Sequence, residues 1–390
     1  MPVLNRIAEF NAEMAQWRQD LHRHPELALQ EVRTAGVVAD KLRAFGVDEI
    51  VTGMARTGVI GVIRGRAGGE AIGLRADMDA LPILEETGRP YASENTGVMH
   101  ACGHDGHTAM LLGAAKYLAE TRNFDGTVYV IFQPAEERDA GGELMVKEGL
   151  FERFPMRLVF GMHNWPAAPA GTFLWRNGPI MAATAIIDIV VTGKGSHGAQ
   201  PERGVDPIVV AAQIVVALQT IVARSIEPLA GGVITIGHFN GGNAFNVIPD
   251  TVHMLGTARW FAPEVGDRLE SGVRRLATGI AESFGAHAEV VFDRAYPATI
   301  NDPAATEIAV RAAQTVAGES RVLPMDKPTM GGEDFSFMLN AKQGNYIMLG
   351  AGRGNDAMLH HPKYDFNDEV LAVGASYWAV LAEQVLGRKG

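Results

Sequence analysis

The chain has 390 residues, 47% of them hydrophobic and 20% charged, with 45 acidic against 34 basic side chains and a formal net charge of −11. That length exceeds what one hydrophobic core usually supports, so two domains are expected, and the composition excludes a disordered or coiled-coil chain. No Lys/Arg block interrupts the acidic balance, which leaves no footprint for nucleic acid, and the single Cys102 excludes an intramolecular disulfide and agrees with a reducing compartment.

Residues 1–20 mix charged with apolar side chains and lack the unbroken apolar core of a signal peptide. No stretch reads as long enough for a membrane span, so a cytoplasmic protein with no membrane partner is expected. Leu4, Ile7, Ala8, Met14, Trp17 and Leu21 follow a helical period, and His22-Arg23-His24-Pro25-Glu26 ends it, reading as a surface turn with pocket lining by His22 and His24 as the alternative. A second helix, Glu31 to Phe45, stops at Gly46. Thr57 to Gly65 and Ala71 to Ala76 read as strands, and the second runs into Asp77-Met78-Asp79-Ala80-Leu81-Pro82. Two acids at the carboxyl end of a buried strand stand where open α/β sheets place their ligands.

Met99 to Thr108 packs three His, the Cys and an Asp just before Ala109 to Leu118, an apolar run of helical spacing. Cys102 and His104 can reach one metal centre if the chain turns there, as Gly103 and Gly106 permit; a buried Cys beside a polar helix start is the other reading. Gly126 to Phe132 is strand-like and delivers Gln133-Pro134-Ala135-Glu136-Glu137. Adjacent carboxylates repel unless a cation or proton offsets them, or unless the pair lies in a solvated loop. Leu158 to His163 repeats the pattern with a His at its end, so three strands alternating with helices indicate an α/β layer with a site along one edge.

From about Ala183 the texture changes to strand Ala185–Thr192, helix Pro207–Ala223, strands Gly232–Gly237 and Thr251–Arg259, helix Glu264–Phe284 and strand Ala288–Phe292. The order β-α-β-β-α-β is that of ferredoxin-like domains, here inserted over residues 183–293 between catalytic portions 1–182 and 294–390. His197 and Asn246 sit in polar, glycine-rich clusters of this insert that also read as plain turns. The first texture returns with helix Ala304–Val316, loop Met330–Phe335, strand Tyr346–Gly350, the run Met358-Leu359-His360-His361-Pro362 and helix Glu369–Leu386.

Strand ends and loops of one layer thus supply Cys102, His104, Glu137, His163 and His360, with Asp77, Asp79 and Glu136 beside them. Five donors exceed one tetrahedral site and suit a pair of divalent ions, zinc, manganese or cobalt.

Asp-Met-Asp-Ala-Leu-Pro at 77–82, Met-His-Ala-Cys-Gly-His-Asp at 99–105, Gln-Pro-Ala-Glu-Glu at 133–137, His-Asn-Trp-Pro at 163–166, Ser-His-Gly-Ala-Gln-Pro at 196–201, Asn-Val-Ile-Pro-Asp at 246–250, Met-Gly-Gly-Glu-Asp-Phe at 330–335 and Leu-His-His-Pro at 359–362 run in order along the chain. Together they resemble the hippurate hydrolase and indole-acetyl-amino-acid amidohydrolase branch of the aminoacylase/carboxypeptidase di-metal family. The resemblance implies an α/β fold: a catalytic α/β/α zinc-peptidase-like domain with an inserted ferredoxin-like α+β lid and dimerisation domain. It implies two divalent ions per chain held by Cys102, His104, Glu137, His163 and His360, with Cys102 bridging. Glu136 would be the general base, Asp79 the acid that orients a ligand or the base's surroundings, and His197 and Asn246 contacts to the scissile carbonyl or the substrate carboxylate. Asp77 stands where related branches carry a metal-binding His. Arg138-Asp139-Ala140 stands where relatives usually have glycines. The implied reaction is cleavage of the amide of an N-acyl or N-aroyl amino acid by a homodimer or homotetramer, with a dipeptidase or carboxypeptidase on the same scaffold as the alternative.

Overall fold

The computed structural model describes residues 3–387, which divide into two compact units: one takes in the chain up to Ile180, Thr299–Pro328 and everything from Glu333 on, the other Met181–Ala298 with Thr329–Gly332. In the first unit eight strands form one sheet in the order Glu49–Met54, Gly58–Arg64, Thr127–Gln133, Ala71–Asp77, Leu158–Pro169, Gly344–Gly352, Phe173–Trp175 and Val322–Pro324. Four of these are mutually parallel where they pair: Ala71–Asp77 lies between Thr127–Gln133 and Leu158–Pro169, and Gly344–Gly352 flanks the last. Parallel strands buried on both faces read as continuous apolar runs, and Ala71–Asp77 is buried from its second residue on. Their register brings the strand ends Asp77 and Gln133 level with His163, two residues past the Arg75–Gly161 pair.

The helix beside these residues spans His104–Thr121, not only its apolar part from Ala109, so His104, Asp105 and His107 form its first turn. It packs against helices Asn11–Arg23 and Leu371–Val385, and Met110, Leu111, Leu112, Ala114, Ala115 and Leu118 are fully buried in the core they share. The strand begun at Leu158 continues through Pro169, because Gly344–Gly352 pairs with it past His163. His163 is therefore mid-strand rather than terminal.

The second unit holds a four-stranded antiparallel sheet in the order Gly232–Gly241, Thr251–Trp260, Ala183–Thr192, His287–Arg294, with helices Pro207–Thr220 and Pro263–Ser283. In chain order this is the ferredoxin-like β-α-β-β-α-β. A π turn, Ile221–Ser225, extends the first helix. One sequence expectation fails here: Pro207–Ser225 is 19 residues of mean hydropathy 1.8, long and apolar enough for a membrane span, with 28% of that window buried. Arg224 lies inside that window, near its end, and so does not interrupt the apolar run.

His22 is no surface turn either. It is fully buried, its Nδ1 2.9 Å from Asp105 and its Nε2 3.3 Å from Glu85. Arg18, one turn earlier, is also buried, donates two hydrogen bonds to Asp368 at 2.7 and 2.9 Å and lies 4.4 Å over the Tyr91 ring. Together they fasten the N-terminal helix to the first turn of His104–Thr121.

The turn after Thr127–Gln133 places three non-glycine residues in the left-handed region, Ala135 at φ 57°, Asp139 at 66° and Ala140 at 50°. Asp139 and Ala140 lie in the run Arg138-Asp139-Ala140, where the resemblance implies glycines.

Two outcomes follow. Burial opposes charge on His22, yet its bonds to Asp105 and Glu85 raise its pKa from 6.5 to about 9. A folded value above the unfolded one adds stability in full below about pH 6.5 and loses it as pH rises through 9, at most about 3 kcal/mol. Urea unfolding at pH 6 and pH 9.5 should show this loss in the wild type and a flatter dependence in His22→Gln. Ala140→Gly removes a left-handed alanine and should stabilise by about 1 kcal/mol, read as a higher urea midpoint at constant m-value.

Candidate metal centre and active site

The site begins at Gly103, which turns the chain between Cys102 and His104. Its φ is 93°, and a Cβ there would lie 2.5 Å from Asn164 Nδ2 and 2.6 Å from the Tyr364 hydroxyl, so no other residue fits. The corner aims the Cys102 thiol at strand Leu158–Pro169, with Sγ 3.3 Å from His163 Nε2. His163 Nδ1 donates to the carbonyl of Asn164 at 2.6 Å, which leaves Nε2 as the lone-pair nitrogen facing the thiol.

Asp79 organises the opposite side. Its Oδ1 and its carbonyl oxygen lie 3.1 and 3.0 Å from His104 Nδ1, and its Oδ2 accepts the Glu137 N–H at 2.9 Å. One carboxylate thus fixes both the His104 ring and the start of Glu137. His104 Nε2 lies 4.0 Å from Glu137 Oε1, and among the described residues neither of these buried atoms has a hydrogen-bond partner. His360, half exposed and itself left-handed at φ 64°, is anchored through its N–H to the Ala101 carbonyl at 2.8 Å and sets Nε2 3.2 Å from Glu137 Oε1 without hydrogen-bond alignment.

These donor atoms fall into two sets that share one member. Cys102, His104 and His163 converge within 4.8 Å of one another, and so do Cys102, Glu137 and His360. Thiol, imidazole and carboxylate suit zinc-like divalent ions, and two buried, unpartnered donors facing the same space are what cation ligands look like without hydrogen bonds of their own. The donor set therefore fits a pair of divalent ions.

Electrostatics say the same. Burial and then the negative Glu137, Glu136 and Asp77 push the Cys102 thiol well up. Burial and the charges of Glu333, Glu137 and Asp334 push Glu136 well above the usual carboxylate range. Burial disfavours charge on His104, but Asp77, Asp79 and Glu137 raise it to about 10. Besides burial, each of these three shifts carries a contribution from neighbouring carboxylates, negative charge that a divalent cation would offset while letting the thiol ionise.

Asp77 stands outside those two sets, though its carboxylate also lies within 4.8 Å of donor atoms of His104 and His107. It accepts from Arg75 at 2.7 Å and from His107 Nδ1 at 2.6 Å, and its carbonyl accepts the Thr108 hydroxyl at 2.9 Å. Burial opposes its ionisation, but His104, His107 and Arg75 hold it well below the usual range. His107 Nε2 in turn accepts the Asn164 N–H at 2.9 Å. Sequence reasoning passed over His107 in this role, although its helical spacing of three from His104 was a visible signal. It also missed Arg75, fully buried, which holds Gln133, Glu333 and Asp334 at 2.8 to 3.0 Å besides Asp77. Glu333 accepts the Tyr346 hydroxyl.

His197 and Asn246 belong to the second unit. His197 pairs with Val247 in a two-residue ladder and is exposed, its Nδ1 accepting the Ala199 N–H at 3.0 Å; Asn246 is exposed beside it. The other seven candidates, Asp79, Cys102, His104, Glu136, Glu137, His163 and His360, all lie in the first unit.

Comparison with known proteins agrees with this chemistry. The description of peptidase family M20/M25/M40 matches residues 73–384. The chain is 40% identical over 386 residues to the hippurate hydrolase of Campylobacter jejuni, covering 99% of this chain and 100% of that one. It is 39% identical to an N-acetylcysteine deacetylase of Bacillus subtilis, covering 97% and 98%. A crystal structure of a dinuclear metal-binding peptidase of the M20 family from Bacillus subtilis superposes with a TM-score of 0.83 at 37% identity, covering 97% of this chain and 99% of that one. The chain belongs to peptidase family M20/M25/M40 and is a metal-dependent amidohydrolase.

Proposed function

We propose that this enzyme hydrolyses N-acyl or N-aroyl amino acids of the hippurate type, releasing a carboxylic acid and a free amino acid. The observation that carries the reading is the pair of donor sets meeting at Cys102, with Glu136 beside them and in reach of His104 and Glu137. Cys102, His104, Glu137, His163 and His360 would hold two divalent ions, zinc, manganese or cobalt. Such ions supply Lewis-acid charge to a carbonyl oxygen and lower the pKa of water.

The chain's own residues do the rest. Glu136, pushed up by burial and by the charges of Glu333, Glu137, Asp334 and Asp79, holds a proton tightly once it has taken one. It takes a proton from the attacking water as the new C–O bond forms, and returns it to the amide nitrogen as the C–N bond breaks. Asp79 holds His104 and Glu137 in register so that neither has to reorganise. His197 would donate to the developing oxyanion and Asn246 would bind the substrate carboxylate, making the second unit, residues 183–293 in outline, the lid. That unit would also pair two copies into a homodimer or homotetramer. A single buried thiol suits the cytoplasm.

Three results test this reading. Chelator-treated enzyme should lose hydrolysis of benzoylglycine and N-acetyl amino acids, and regain it with zinc, manganese or cobalt; cleavage of free dipeptides alone would move the assignment to a peptidase. Glu136→Gln should keep two ions per chain and lose turnover by about 10²- to 10⁴-fold. Cys102→Ala should lower metal content measured by atomic absorption, and full occupancy would remove the bridging role.

A further inference from the structure

Glu31 has no place in the chemistry above, yet it is fully buried and its carboxylate touches the turn that carries Glu136. Oε1 accepts the N–H of Ala135 at 2.9 Å, and Oε2 accepts the Thr57 hydroxyl at 2.7 Å. Ala135 is the residue immediately before Glu136 and sits at φ 57°, a conformation that costs an alanine about 1 kcal/mol or more. Its carbonyl is held as well, by the Gly141 N–H at 3.0 Å. Both ends of this strained residue are thus clamped, one of them by a side chain from 104 positions earlier.

The segment around Glu31 is itself fixed. Glu26 caps helix Val32–Ala44, its carboxylate accepting the N–H groups of Arg33 and Thr34 at 3.0 and 2.8 Å, and its carbonyl accepts the Ala80 N–H at 2.9 Å. Ala80 follows Asp79 as Ala135 precedes Glu136. Residues 26–31 therefore touch the backbone next to both acids, and Asp79 closes the circuit by accepting the Glu137 N–H at 2.9 Å.

We propose that Glu31 is a positioning residue: by holding the left-handed Ala135 peptide against the Asp79 loop, it aims the Glu136 carboxylate for proton transfer. This rests on the reading of Glu136 as general base. Proton transfer falls steeply with misplacement, whereas Cys102, His104, His163 and His360 stand on other elements and Glu137, on the same turn, keeps its own N–H bond to Asp79.

The test is a double-mutant cycle on the metal-loaded enzyme with benzoylglycine, following kcat, KM, bound metal and thermal midpoint for Glu31→Ala, Glu136→Gln and the pair. Glu31→Ala should lower kcat by about 10- to 100-fold with KM and two ions per chain unchanged. Glu31→Gln, which keeps one acceptor oxygen, should recover part of that loss. In the Glu136→Gln background Glu31→Ala should cost nothing further, because the group it aims is gone. An unchanged kcat in Glu31→Ala, an equal loss in both backgrounds, or a loss explained by missing metal overturns the proposal. Near-normal turnover in Glu136→Gln alone is a separate result, which removes the base assignment itself. Should Glu31→Ala not fold, Thr57→Val frees one carboxylate oxygen and should give a smaller kcat loss at unchanged KM; wild-type kcat there overturns the proposal equally.

Discussion

Parallel strands bring their carboxyl ends to one side, and here those ends carry more negative charge than a buried volume can hold unaided. Asp77, Asp79, Glu136, Glu333 and Asp334 are all buried there, with Glu137 nearly so. Two like charges 4 Å apart repel by about 4 kcal/mol at an effective dielectric of 20. The fold answers with cations from two directions. Arg75, on the central strand, reaches Asp77, Glu333 and Asp334 at 2.7 to 3.0 Å and answers the charge on its own side. On the other side His104 lies 3.1 Å from Asp79 and 4.0 Å from Glu137, and His360 lies 3.2 Å from Glu137. Charge balance and the candidate metal centre share residues, since His104, His360 and Glu137 belong to both.

Ligand aim follows from how each imidazole is committed. His104 spends Nδ1 on Asp79 and His163 spends Nδ1 on the Asn164 carbonyl, so both present Nε2 to the same space. Asn164 is held in its turn by Tyr364, whose hydroxyl donates to it at 2.7 Å, and by His107. Outer partners of this kind fix tautomer and ring orientation before any ion arrives. His107 and Asn164 come from helix His104–Thr121 and strand Leu158–Pro169 and inherit the stiffness of the core, whereas Asp79 and Tyr364 lie outside helices and strands.

What was legible in the sequence was whatever local chemistry or periodicity displays. Cys102, His104, Glu136, Glu137 and His163 stand beside strongly periodic runs, and the ferredoxin-like order of the second unit follows from alternating periods alone. What stayed hidden depends on partners far along the chain. His22 looked like a surface turn because Asp105 lies 83 residues away, and Arg75 looked like an ordinary strand residue because Glu333 lies 258 residues away. The helix start was placed late because Gly103 makes a corner that hydrophobic spacing does not record. In the sequence Pro207–Ala223 reads simply as a long helix of the insert, because hydropathy, unlike burial, carries no information about which face is covered.

Strain is distributed with the same logic as charge. Ala135 and His360, two non-glycine residues in the left-handed region, adjoin or are themselves proposed site residues, and Asp139 and Ala140 close the same turn as Ala135. Such conformations persist only where surrounding bonds over-determine them. Ala135 has Glu31 and Gly141, and His360 has the Ala101 carbonyl. Relaxing either residue would swing a neighbouring donor or base away from the centre. The stability given up at these positions therefore holds the side chains in reach of substrate, and the buried ion pairs of Arg18 and His22, on the helix face that supports His104–Thr121, keep the frame rigid enough to bear it.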